Sequence, residues 1–321
     1  MIALLPTMFS IVVDPARLMR SRDEERAIAR ALMAGHDVTD FTNYDDRSIQ
    51  QELARVRTSA PDVLVLGSSR AQTVTHAAFP QAQSFVNGSV TAGTRDDLLA
   101  LYTPYDESAR RPRRLVLELD PWMLRESDPD AGWARLSRER DTMLGRLGYR
   151  HSLARDRVSV AIRIARLLKS PEYFRLALAS FRRHGLAGVA FVVTDEPQNA
   201  ERTMTPDGSV TWLRESRGRG DTLALQYVQS RLASDVRFTD LDGGSSARAE
   251  AVLERFVQHV IASGTGVTVL LAPYHPLTWA ALRPRTPSPL VESERRFRAL
   301  ASRTSAAVIG SYDPALCDVT S

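Results

Sequence analysis

The chain has 321 residues, 43% of them hydrophobic and 25% charged, an ordinary globular composition with ample length for a buried core. Its 42 basic and 38 acidic residues leave a net charge of +4. The basic residues are almost all Arg, with Lys169 the one Lys, and they are interleaved with Asp and Glu without a zinc-finger or RNA-binding signature, which argues against nucleic acid as a partner. The single Cys317 excludes an internal disulfide and any multi-Cys metal site, and neither a metal nor a cofactor is expected.

Met1 to Val13 is apolar and uncharged. It is shorter than the about 20 apolar residues of a spanning helix and lacks the basic start and cleavage site of a secretory signal. It reads either as a strand or helix of the core or as the distal half of a membrane anchor, a remnant over residues 1–16. In the second case the exit at Val13-Asp14-Pro15 fits, because Pro stops a helix and Asp marks the water boundary. Arg17 to about His36 reads as an exposed helix, and Asp46 to Arg57 as another, with Ile49, Leu53 and Val56 at helical spacing.

Pro61-Asp62-Val-Leu-Val-Leu-Gly67 changes the pattern. Four consecutive aliphatics entering Gly predict a strand buried on both faces, as in a parallel sheet. Similar runs follow at Ser84–Val86, Arg114–Leu119, Gly266–Leu271 and Ala306–Ile309. Helical patterns over Arg95–Tyr102, Ala247–Ser263 and Val291–Ser302 separate them, so the chain predicts a doubly wound, flavodoxin-like parallel α/β sheet of about five strands. Residues 17–321 form one domain on this reading, with a mainly helical insertion over about 123–264 that covers the sheet's working edge. Within it, Arg135–His184 reads as Arg-rich helix and Pro206-Asp207-Gly208-Ser209 as a hairpin turn.

Sites in open α/β sheets form at the carboxyl ends of the strands. After the first strand comes Gly67-Ser68-Ser69-Arg70, with a helix expected from Ala71. Such a turn lifts a Ser hydroxyl above the sheet while the helix N-terminus offers N–H groups to an oxyanion; alternatively, the serines simply cap the helix. After the second comes Asn87-Gly88-Ser89, an amide and small residues suited to approaching a ligand, or a plain turn. After the third, Pro121 holds Asp120 extended. After the fourth, His275 stands between Pro273-Tyr274 and Pro276, the best placed of the six histidines.

This series resembles the SGNH (GDSL-like) hydrolase and acyltransferase superfamily, in the membrane-anchored bacterial branch whose first block reads Gly-Ser-Ser-Arg. The resemblance implies that Ser69 is the nucleophile, that Asn87, Gly88 and Ser89 form the second, oxyanion-binding block together with the Ser69 N–H, and that Asp120 occupies the third block, where the usual hydrolases carry Asn. The superfamily's last block, Asp-x-x-His, has no counterpart after the final strand. The chain is therefore expected to be truncated at both ends and nearly inactive as it stands, with His275 the one substitute for the base.

The function expected is a serine esterase or O-acyltransferase acting on a cell-surface or secreted carbohydrate, held by its N-terminal anchor on the outer, periplasmic side of a bacterial membrane. A second reading is a non-catalytic relative that binds a glycan or a protein partner in polysaccharide assembly or export. A third, an anion nest at Gly67-Ser68-Ser69 for phosphate or nucleotide, has no Gly-x-Gly-x-x-Gly or Walker pattern beside it.

Overall fold

The aliphatic run Val63–Leu66 must be covered on both faces, and in the computed structural model it lies inside a parallel sheet, all four residues buried. The structure describes residues 4–13, 23–40, 45–108, 110–126, 136–149, 162, 165–166, 168–184, 191–196, 199–212, 220–233 and 245–317. In chain order its strands are β1 (Asp37–Thr39), β2 (Val63–Leu66), β3 (Phe85–Asn87), β4 (Arg114–Glu118), β5 (Val192–Thr194), β6 (Thr203–Met204), β7 (Val210–Thr211), β8 (Gly266–Leu271) and β9 (Ala307–Gly310). The helices used below are α1 (Leu4–Val13), α2 (Asp23–Met33), α3 (Asp46–Val56), α4 (Arg95–Glu107), α5 (Ser137–Arg146), α6 (Pro171–His184), α7 (Gly220–Ala233), α8 (Ala247–Ala262), α9 (Pro276–Leu282) and α10 (Pro289–Thr304).

Five strands pair in the order β3-β2-β4-β8-β9, every neighbour parallel. Counted among themselves they run 2-1-3-4-5, the flavodoxin-like doubly wound order. Side-chain alternation divides the core. Leu64, Leu66, Leu115 and Leu117 face the helices that contribute Leu98, Tyr102, Phe256 and Phe297. Val63, Val65, Val116 and Phe85 pack on the other face with Ala71 and Phe79. The long helices start where hydroxyl side chains meet the free N–H groups: Thr94 and Asp97 form a reciprocal capping box on α4, and Ser246 and Ser288 cap α8 and α10.

The region before β2 is less exposed than its charge suggests. Ile28 and Leu32 of α2 and Ile49 and Leu53 of α3 are buried together with Val38, Met204 and Val210. The last two come from the insertion, which is more than a helical cover. Its strands β5, β6 and β7 pair with β1 in an antiparallel sheet of order β5-β1-β6-β7. The turn read at Pro206–Ser209 is the β6–β7 hairpin of that sheet.

At the N-terminus, α1 packs on α6: the Phe9 ring meets Phe174 at 5.7 Å and Phe181 at 5.6 Å, both edge-on. Ser10 and Val13 are buried there, while Met8, Ile11 and Val12 face outward. Among the described residues no helix is long and apolar enough to cross a membrane. The expected anchor exit at Asp14-Pro15, and the part of the Arg-rich stretch that holds His151 and Val158, lie outside the described residues.

Candidate functional site at the carboxyl end of the parallel sheet

Gly67 follows β2, and its missing side chain is a packing requirement: a Cβ here would lie 2.6 Å from Glu118 Cβ and 2.7 Å from Glu118 Oε2. The chain then bends. The Ser68 N–H donates to Glu118 Oε2 at 2.8 Å, and Ser68 Oγ accepts the Arg70 N–H at 3.2 Å. Ser68 is fully buried, whereas Ser69 is part-exposed. Among the described residues neither the Ser69 hydroxyl nor its N–H makes a hydrogen bond.

The helix expected from Ala71 does not form. Residues 69–73 are turns, followed by a single 3₁₀ turn at His76–Ala78. The reason is Asn87. Its fully buried amide nitrogen donates to the carbonyls of Ala71 (2.7 Å), Gln72 (3.3 Å) and Val74 (2.8 Å), and the Val210 N–H also donates to Gln72 O. The segment keeps one tight turn, the Val74 N–H donating to Ala71 O at 3.0 Å, but its carbonyls are drawn to the Asn87 amide and the Val210 N–H rather than into a helical ladder, and the β-branched Thr73-Val74-Thr75 offers little helix propensity against this. Ser69 therefore does not open an α-helix.

The second-block residues are equally committed. Asn87 Oδ1 accepts the Ser89 N–H at 2.9 Å, and the Gly88 N–H donates to Val65 O at 2.8 Å. Through the Asn87 amide and their backbone N–H groups, Asn87, Gly88 and Ser89 thus knit β3 to the Ser69 turn. Ser89 Oγ is buried without a partner. The loop beyond presses on the same turn: a Cβ on Gly93 would lie 2.4 Å from Gly67 O, and Trp122 Nε1 donates to Gly93 O at 2.9 Å.

Asp120 is extended before Pro121, as the Asp-Pro pair predicts, and fully buried. Its Oδ1 accepts Arg70 Nη1 at 2.5 Å and the Tyr274 hydroxyl at 3.3 Å. Arg70 also donates to the carbonyls of Ala272 and Pro273, and its guanidinium carbon lies 3.8 Å from the Tyr274 ring centroid. Burial works against the Arg70 charge, but Asp120, together with Tyr274, Glu118 and Tyr312 around it, outweighs burial and keeps the guanidinium protonated. Tyr312 completes the wall: it packs edge-on against Tyr274 at 5.4 Å and donates its hydroxyl to Leu119 O at 2.5 Å. Burial, then the nearby Asp120, pushes both phenols well above their ordinary range. Burial, reinforced by Asp120 and only partly opposed by Arg70, pushes the Glu118 carboxyl up to about 8.

His275 caps α9, its Nδ1 accepting the Leu277 N–H at 3.2 Å. No hydrogen bond joins it to Ser69. The sheet end thus gathers Ser69, Asn87 and Asp120 on adjoining strand ends, with His275 engaged as a cap. Arg70, quoted in the first motif without a role, proves central, and Glu118, Tyr274 and Tyr312 were not singled out. Glu118 did leave a signal, an acid inside the apolar run Leu115-Val-Leu-Glu-Leu119.

Among the described residues no group of three or more His, Cys, Asp or Glu is arranged to hold a metal. A concavity of about 450 Å³, lined by Asp62, Val63, Phe79, Arg113 and Arg114 among others, lies at the opposite, amino end of β2 and β4. Comparison with protein-family models, curated proteins and solved structures finds no match to this chain.

Proposed function

We propose that this chain is an SGNH-like serine esterase or O-acyltransferase centred on Ser69, acting on a cell-surface or secreted carbohydrate at the outer face of a bacterial membrane, with the N-terminal segment as its attachment. The observation that carries this reading is the state of Ser69. It stands at the carboxyl end of a central strand, and among the described residues its hydroxyl and N–H are both unengaged, while the Asn87 amide, the Gly88 and Ser89 N–H groups and the Arg70 guanidinium around it are tied into the scaffold. In the reaction Ser69 Oγ would attack the acyl carbonyl and lose its proton to a base. The oxyanion would accept the Ser69 N–H, and collapse of the adduct would expel the donor's leaving group, leaving the acyl group on Ser69 for transfer to a sugar hydroxyl or water. The Asp120 charge does not oppose that oxyanion as an isolated carboxylate would, because Arg70 is paired with it directly.

Asn87, Gly88 and Ser89 act in this reading by shaping the turn, since the Asn87 amide and the three backbone N–H groups are used internally. Among the described residues no base makes a hydrogen bond to Ser69, so the hydroxyl of this chain is expected to be a slow nucleophile. Added imidazole should supply the base. With a fluorophosphonate probe, mass spectrometry should find an adduct on Ser69 that rises with imidazole concentration and is lost in Ser69→Ala. Modification of a different serine, or none at any imidazole concentration, would overturn the enzyme reading.

The engaged second block favours the alternative, a non-catalytic relative that binds a glycan or a protein partner of a polysaccharide assembly or export system. Silence towards the probe combined with saturable glycan binding by calorimetry would select it.

A further inference from the structure

Glu118 ends a central strand with its carboxyl fully buried, and the chemistry assigned to Ser69 makes no use of it. Its Oε2 accepts the Ser68 N–H, but Oε1 has no partner. Two residues on, Asp120 is buried as completely; its Oδ1 is taken by Arg70 and Tyr274, and Oδ2 has no partner. The groups facing this pair are Arg70 and the Ser68 N–H from the turn after β2, Tyr274 from beyond β8 and Tyr312 from beyond β9. Arg70 is the one cation among them. A single cation cannot neutralise two carboxylates, and two orphaned acid oxygens in one buried pocket are each costly.

We propose that Glu118 and Asp120 hold one proton between them, carried on Glu118 and donated to Asp120, so that the acid pair and Arg70 form a charge-balanced clasp that fixes the Gly67–Arg70 turn on the sheet. The hydrogen bond between the two carboxyls satisfies both orphaned oxygens at once. It also accounts for Gly67, since the Glu118 carboxyl fills the space a side chain there would need. The clasp does not depend on whether Ser69 reacts, because it concerns only what holds the turn.

The pH dependence follows from the balance of charge. The native pair keeps its proton at a pH where the unfolded chain has released it, so stability declines as pH rises above the ordinary carboxyl range. It levels off once the native pair has also ionised. Infrared spectra of the full chain, with and without carboxyl-¹³C glutamate, give the direct test. At neutral pH the wild type should show a protonated-carboxyl band that moves on glutamate labelling and disappears at alkaline pH, and Glu118→Gln should lack it. Glu118→Gln keeps a donor and an acceptor in place, so its urea midpoint should lose the decline that the wild type shows as pH rises from the ordinary carboxyl range to the point where the native pair ionises. No glutamate-sensitive band at neutral pH, a band that survives in Glu118→Gln, or an unchanged decline over that range in the variant would overturn the clasp. If the variant fails to fold, the labelled wild type decides alone.

Discussion

Asn87 shows how one side chain can unmake a helix. Its nitrogen reaches three carbonyls of the segment after Ser69, and its oxygen takes the Ser89 N–H. An amide in this role sets the shape of the site without touching a substrate. Asn87→Ala should cost about 2 to 3 kcal/mol of unfolding free energy in urea, because it leaves the Val74 carbonyl and the buried Ser89 N–H without their partners. The loss should be accompanied by new helical circular dichroism signal if the freed segment winds up. At the same level, Glu118 was readable as an oddity, an acid inside an apolar run. The cation that balances it and Asp120 was not readable, since the turn that brings Arg70 over Asp120 depends on strands far apart in the chain.

Between elements, one fastening away from the site is Asp106 near the end of α4. Its carboxylate meets Arg111 at 2.6 Å, Arg146 of α5, and His259 of α8 at 3.1 Å. Burial works against this charge, but hydrogen bonds from Arg111, His259 and Arg146 outweigh it and hold the carboxyl below its ordinary range. A depressed carboxyl contributes stability above its unfolded pKa and loses it as pH falls through the folded one. Asp106→Asn should therefore lower the urea midpoint at neutral pH, and its gap from the wild type should close in acid. The β6–β7 hairpin is a second fastening. Asp207 O accepts the Asn87 N–H at 2.8 Å, and Gly208, at φ +86°, would place a Cβ 2.3 Å from Asn87 O. Gly208→Val combines an unfavourable backbone conformation with that clash. It should cost about 1 to 3 kcal/mol or more and expose the hairpin to limited proteolysis before the parallel sheet is cut.

Taken together, these fastenings make the N-terminal segment and the insertion parts of one structure. β1 finds its partners in strands more than 150 residues downstream, Asp37 opposite Thr194 and Val38 opposite Met204. The resulting small sheet sends its hairpin onto the end of the large one, beside the Ser69 turn. The insertion thus shapes the site from outside the parallel sheet.

The parallel sheet was legible in the chain because its information is local. Val63–Leu66, Arg114–Glu118 and Gly266–Leu271 are apolar runs that water cannot tolerate on either face, and Gly67 directly after the first marks the turn that carries Ser69. Strands of two or three residues such as β1, β6 and β7 are too short to carry a period, so the second sheet came into view only with its pairing. The roles of Asn87, Asp120 and Arg70 likewise rested on partners on other elements. A residue's type states which hydrogen bonds and charges it can offer; only the folded chain states which of them are already taken, and among the described residues at this sheet end that accounting leaves the Ser69 hydroxyl and N–H unspent.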